Sequence, residues 1–286
     1  MSAVIDPGST IGVVQLTVHD LANEVAFYRD RIGLRVIAEG GARAALGAGR
    51  RTLLELHEDS AAARSHGTAG LYHFALLLPS RRDLANTLAR LVTTGTTLTG
   101  VADHGVSEAL YLDDAEGNGI ELYRDRPRAQ WPRVEGALRM TTDPLDLGEL
   151  LAGADTDAKS VAPIAEGTVV GHVHLHVSHL EAARAFYCDT LGFELMQRFG
   201  HSALFVSAGG YHHHLGLNTW VGVGAPGPPP GALGLRHFSV RLPSRSGVLQ
   251  VLERLEGAGI PIERESDRFS ALDPTGHRIV LEAASG

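Results

Sequence analysis

The sequence predicts an α+β fold made of four copies of one strand–helix–three-strand unit. Three observations carry this reading. Four segments, GVVQL (12–16), YHFAL (72–76), GHVHL (171–175) and RHFSV (236–240), each read as a short apolar strand leading into a helix. The stretches after these segments match in alternation, the first copy with the third and the second with the fourth. Each helix is succeeded by about three runs of strand character, so a two-repeat block has been duplicated.

In the first repeat, Val18-His19-Asp20-Leu21 opens a helix that carries Phe27-Tyr28 and stops at Ile32-Gly33-Leu34. The third repeat has Val177-Ser178-His179-Leu180, Phe186-Tyr187 and Leu191-Gly192-Phe193 at the corresponding points. The second repeat begins its helix at Leu78-Pro79-Ser80-Arg81 and the fourth at Leu242-Pro243-Ser244-Arg245. In both, a serine precedes leucines at helical spacing and a glycine comes after the last turn. Asp114-Ala115-Glu116-Gly117-Asn118 and Asp273-Pro274-Thr275-Gly276-His277 read as tight turns between two strands. Strands are expected over 52–56, 109–112, 120–123, 203–206, 214–219 and 278–281. The Gly/Pro-rich run at 222–231 is expected to be loop. The predicted division is a first domain over 9–126, a linker over 127–167 containing one short helix, and a second domain over 168–284.

Composition narrows the function. The 286 residues are 44% hydrophobic and 20% charged, with formal net charge -8, as in a globular protein with ordinary cores. No basic patch points to nucleic acid. No run approaches the ~20 apolar residues of a membrane span, and residues 1–7 lack the features of a signal peptide. Cys188, the single cysteine, reads as a packing residue, and a cytoplasmic location is expected.

Histidine is abundant, with 15 copies. Aligned on the apolar residue that ends each first strand, three repeats carry His73, His172 and His237 at one point, where the first repeat has Val13. An isolated strand histidine is usually structural. Recurrence at one register position points to a metal site.

The His-x-x-Leu-x-Val strand at His172, the Phe-Tyr helix ending at Leu-Gly, and the Asp-x-x-Gly-Asn turn with a carboxylate beyond it at Glu121 resemble the vicinal oxygen chelate superfamily, which includes glyoxalase I, bleomycin-resistance proteins and extradiol dioxygenases. The resemblance covers all four repeats and is nearest to the bacterial catechol 2,3-dioxygenase-like group. It implies βαβββ modules in two glyoxalase-like domains, paired into cups around a metal.

In extradiol members, one module gives a first-strand His and a later acid/base His. Its partner gives a first-strand His, a Tyr before the turn and a Glu after it. The second repeat supplies His73, Tyr111 three residues before Asp114, and Glu121 seven after it. The third supplies His172, with His213 at the acid/base position. In the fourth, Ser270 and Val280 stand at the Tyr and Glu positions, and Glu282 lies two residues further along the same strand face. The second and third repeats are therefore expected to form the active cup, with metal ligands His73, Glu121 and His172, the acid/base His213, and Tyr111 and His104 on the substrate oxygen. The alternative ligand set is His172, His237 and Glu282.

The resemblance then implies ring cleavage of a small aromatic vicinal diol by O2 on Fe(II) or Mn(II), in a homo-oligomer. Two other activities are open: a glyoxalase-type isomerase or lyase on Zn or Ni, in which Glu55 would be a ligand, or a metal-free drug-binding protein. Glu55 otherwise reads as a solvated carboxylate. Trp131 and Trp220 read as packing residues or pocket wall. By strand alternation His212, His213 and His214 cannot all share one face.

Overall fold

The computed structural model describes residues 4–155, 162–266 and 268–284. Residues 156–161 of the expected linker lie outside that set. The first repeat comprises β1 (Thr10–Val18), α1 (Leu21–Phe27), β2 (Arg35–Gly40), β3 (Arg43–Ala48) and β4 (Arg51–Glu58). The second comprises β5 (Gly70–Leu77), α2 (Arg81–Thr93), β6 (Gly100–Asp103), β7 (Ser107–Asp113) and β8 (Gly119–Asp125). The stretch expected as a linker holds the small hairpin β9 (Arg133–Val134) and β10 (Ala137–Leu138), then a short helix, α3 (Leu147–Ala152). The third repeat is β11 (Val169–His176), α4 (Leu180–Arg184), β12 (Glu194–Phe199), β13 (Ala203–Ser207) and β14 (Leu215–Asn218). The fourth is β15 (Gly234–Leu242), α5 (Arg245–Gly257), β16 (Glu263–Glu265), β17 (Arg268–Leu272) and β18 (Arg278–Ala283).

The α+β class and the fourfold repeat are as expected. The chain divides into two compact units, one of residues 16–62 and 73–170, the other of residues 1–15, 63–72 and 171–286. Within the units the strand orders are β4-β3-β2, β5-β8-β7-β6, β16-β17-β18-β15 and β12-β13-β14-β11.

In the first unit, Ser80 caps α2 by accepting from the Asp83 N–H, and the helix buries Leu84, Leu88 and Leu91. That leucine stripe and the apolar face of β5 and β8, with Phe74, Leu76 and Leu122, form the core. In the second unit α5 is built alike. Ser244 caps it through the Gly247 N–H, and Val248, Val251 and Leu255 are buried.

The Phe-Tyr helices end in π-helical turns at Tyr28–Ile32 and Ala185–Thr190. Beyond each turn stands a glycine in the left-handed region, Gly33 at φ +91° and Gly192 at φ +93°, a conformation that favours glycine. The wide turn places Tyr28 and Tyr187 inside, both fully buried. Tyr28 Oη donates to Asp114 Oδ2 at 2.7 Å and Tyr187 Oη to Asp273 Oδ2 at 3.0 Å. Each Phe-Tyr helix is thereby tied to the Asp-x-x-Gly turn of the next repeat, once per unit. No helix among the described residues is long and apolar enough to cross a membrane.

Candidate metal centre

In the first unit the second repeat builds one set of polar side chains. β5 pairs parallel with β8, setting Phe74 opposite Ile120 and Ala75 opposite Glu121. β7 pairs antiparallel with β8, setting Tyr111 opposite Glu121. His73 and Glu121 are buried, and His73 Nε2 lies 3.0 Å from Glu121 Oε2. A carboxylate in an apolar strand is costly to bury without a compensating charge or donor. The Tyr111 ring lies 5.5 Å from the His73 ring.

His104 sits in the loop between β6 and β7, as expected. Its Nε2 is 2.7 Å from Tyr111 Oη and its Nδ1 is 2.6 Å from the Thr141 carbonyl oxygen. A carbonyl only accepts, so Nδ1 carries a proton. In the neutral ring Nε2 then accepts, and the Tyr111 hydroxyl donates to it. Protonation of His104 would reverse that bond and free the Tyr111 proton. Thr141 belongs to the stretch expected as a linker, whose contribution the sequence does not reveal. The linker pins the loop through Asp103 N to Asp143 O and Asp143 N to Asp103 O, both 2.9 Å, and Thr141 N to His104 O at 3.1 Å. Arg126 Nη2 donates to Asp103 Oδ2 at 2.6 Å. Arg126 and the Gly105 N–H hold the Asp103 carboxyl below the usual carboxylate range against the upward pull of burial.

In the second unit the third repeat builds the other set. His172 is buried on β11, and the His213 ring lies 4.1 Å from it. The structure differs from the strand-based expectation here. Residues 211–214 precede β14 as a bend, so strict alternation does not govern them. His212 Nδ1 and His213 Nδ1 are 2.9 Å apart. His214 turns to the backbone, taking the Ala208 N–H at Nδ1, 3.1 Å away. The His212 partner was not legible in the sequence, because it depends on this bend.

Each unit thus presents buried donors, His73 Nε2 and Glu121 Oε2 3.0 Å apart in the first and His172 in the second. Two imidazoles and a carboxylate form a donor set suited to a divalent transition metal.

The fourth repeat is furnished differently. Glu282 Oε1 accepts from Ser239 Oγ at 3.1 Å and from Arg241 Nη2 at 3.0 Å, with Arg268 Nε 3.9 Å from Oε2. Burial, with Arg268, Arg236 and Arg278, pulls the His237 pKa down to about 4. Ser270 accepts from Arg278 Nη1 at 2.8 Å, and Val280 is buried. Glu55 is half-buried on β4. Cys188 is half-buried, and burial pushes its thiol up to about 11. This fits its reading as a packing residue.

Residues 10–122 and 169–281 each match the Glyoxalase/Bleomycin resistance protein/Dioxygenase superfamily, and the chain belongs to it. Within that superfamily it is dioxygenase-like. It is 46% identical over 269 residues, 92% of this chain and 93% of the relative, to the protein named Catechol-2,3-dioxygenase from Bacillus subtilis (strain 168). Among solved structures it resembles glyoxalase I from Zea mays, with TM-score 0.58 and 17% identity over 96% of this chain and 92% of that one. It also resembles the cppA protein from Streptococcus pneumoniae TIGR4, with TM-score 0.56 and 11% identity over 97% and 99%. At such identities these two share the fold, and function rests on the site.

Proposed function

We propose that the chain is an extradiol ring-cleaving dioxygenase acting on a catechol-type diol with O2, with His73, Glu121 and His172 as ligands of Fe(II) or Mn(II). The observation that carries this reading is the buried pair of His73 and Glu121, 3.0 Å apart, in a chain 46% identical to a protein named for that activity. The bound metal would supply a chelation point for two vicinal oxygens and electron transfer to dioxygen.

The surrounding residues manage protons. His213 Nδ1 is engaged with His212, which fixes the ring, and His213 is the residue assigned to take a proton from a substrate hydroxyl. In the second repeat the Tyr111 ring lies 5.5 Å from that of His73. While His104 is neutral, the Tyr111 oxygen offers lone pairs to a substrate hydroxyl. Once His104 accepts a proton, the Tyr111 hydroxyl donates to the developing oxyanion. His104 thus sets the direction of the Tyr111 hydrogen bond, and the Thr141 carbonyl sets the His104 tautomer.

The test is anaerobic loading with Fe(II) or Mn(II), metal analysis, and exposure to O2 with a panel of catechols while ring-opened yellow product is monitored by absorbance. Stoichiometric metal and turnover of at least one catechol are expected. Bound metal with no turnover of any diol would overturn the dioxygenase reading.

A further inference from the structure

The duplicated helices α2 and α5 each carry an arginine nine residues after their first residue, Arg90 and Arg254. They are used in different ways. In the second unit Arg254 reaches the end of the π-helical turn, where Nε donates to Thr190 O at 2.9 Å and Nη2 to Leu191 O at 2.8 Å. Those carbonyls are exposed by the end of the helix, and the guanidinium satisfies them. In the first unit Arg90 is 9% exposed, yet its Nε donates to no atom among the described residues. Its guanidinium lies over Gly33, where an added Cβ would stand 2.5 Å from Arg90 Nη1.

Beside Gly33 is a cavity of about 690 Å³ lined by Arg90 and also by Arg29, Asp30, Arg35, Leu34, Val36 and Pro163. The Arg29 and Asp30 side chains form an ion pair, with Nε 2.7 Å from Oδ1. Among the described residues, that leaves Arg90 and Arg35 as the charges without a carboxylate partner there. Burial pulls the Arg90 pKa below the ordinary arginine value. A buried cation with an idle donor is costly unless a counter-charge reaches it. The cavity size is that of a small-molecule site, and a guanidinium fork matches a carboxylate or phosphate.

We propose that this cavity binds the oxyanion group, carboxylate or phosphate, of a small organic molecule, with Arg90 as the anchoring charge, Arg35 as the second charge, and Val36 and Pro163 against the apolar part. The site lies within one unit and uses none of the residues assigned to ring cleavage.

The test is calorimetric titration of the full chain with inorganic phosphate and, separately, benzoate, at constant ionic strength with chloride as the control. Saturable binding of at least one probe is expected. Phosphate alone would identify a phosphorylated ligand, and benzoate alone a carboxylate. Arg90→Gln should weaken binding at least tenfold and Arg35→Gln about threefold. Thermal midpoints without anion separate this role from a structural one. Arg254→Gln should lower the midpoint by removing two hydrogen bonds, and Arg90→Gln should leave it unchanged or raise it. If Arg90→Gln does not fold, Arg35→Gln carries the binding test alone. No saturable binding of either probe, or binding indifferent to both substitutions, would overturn the proposal.

Discussion

The second and fourth repeats are copies of one scaffold with opposite furnishings. Both hold the serine-capped helix, the Asp-x-x-Gly turn and the buried Tyr–Asp bond that ties the turn to the preceding repeat. At the cup positions the second has His73, Tyr111 and Glu121, and the fourth has His237, Ser270 and Val280. Around His237 the chain has gathered Arg236, Arg268 and Arg278, and a nearby carboxylate, Glu282, is held by Ser239 and Arg241. Arginines that pair with a carboxylate and depress a neighbouring imidazole's pKa oppose the arrival of a metal cation. The scaffold contacts were kept while the chemistry diverged, so the fold alone does not locate the site.

The strongest way to break this comparison is to remove a candidate metal ligand from each of the two repeats. His73→Ala or Glu121→Ala is expected to reduce bound metal at least roughly tenfold, read by metal analysis after anaerobic loading. His237→Ala and Glu282→Ala are expected to retain metal. Loss of metal in the fourth-repeat variants with retention in the second would transfer the site to His172, His237 and Glu282.

A smaller effect concerns the proton machinery. Tyr111→Phe keeps the ring and removes the hydroxyl, so kcat should fall by roughly 100-fold, the scale of one oxyanion donor, with metal content unchanged. His104→Ala removes the group that orients that hydroxyl, and a loss of about tenfold is expected. Ser270→Ala, at the equivalent place in the fourth repeat, should leave kcat untouched. Equal losses for Tyr111→Phe and Ser270→Ala would show that the hydroxyl has no special place in the reaction.

Much of the fold and the candidate site is legible in the sequence, for a physical reason. Register in a β-sheet fixes which side chains share a face. The recurrence of His73, His172 and His237, and the spacing of Tyr111 and Glu121 about Asp114, therefore carry spatial meaning. The Tyr28–Asp114 bond is not predictable in this way, although the Phe-Tyr and Asp-x-x-Gly motifs both stand out in the chain. It joins residues 86 apart, a separation at which no local periodicity operates. Thr141 escapes because the linker's contribution is a backbone carbonyl, which any residue type supplies. His212 escapes because strand alternation does not hold in a bend. The edge strands β2 and β16 are exposed throughout and so lack the apolar pattern by which strands are read.

The two turn aspartates sharpen the comparison between the duplicated halves through pH. At the turn in the second unit, burial raises the Asp273 carboxyl, but His277 and hydrogen bonds, including that from Tyr187, outweigh it, and its pKa is lowered. At the turn in the first unit Asn118 replaces His277, burial prevails over the Tyr28 and Asn118 bonds, and the Asp114 pKa is raised. Glu24, fully buried on α1, is pushed up to about 9, first by burial and then by Asp114 and Glu116. Its counterpart, three residues before the Phe-Tyr pair, is Ala183. The folded state therefore holds the Glu24 proton to higher pH than the unfolded chain, in which the ordinary value is 4.5. Its stabilising contribution is complete below that ordinary value and is lost as pH rises toward 9. Glu24→Gln keeps a neutral side chain at every pH and should flatten this decline. Urea midpoints at about pH 5.5, 7 and 8.5 should show the variant gaining on the wild-type chain at each step. Parallel curves would mean that Glu24 is ionised in the folded protein.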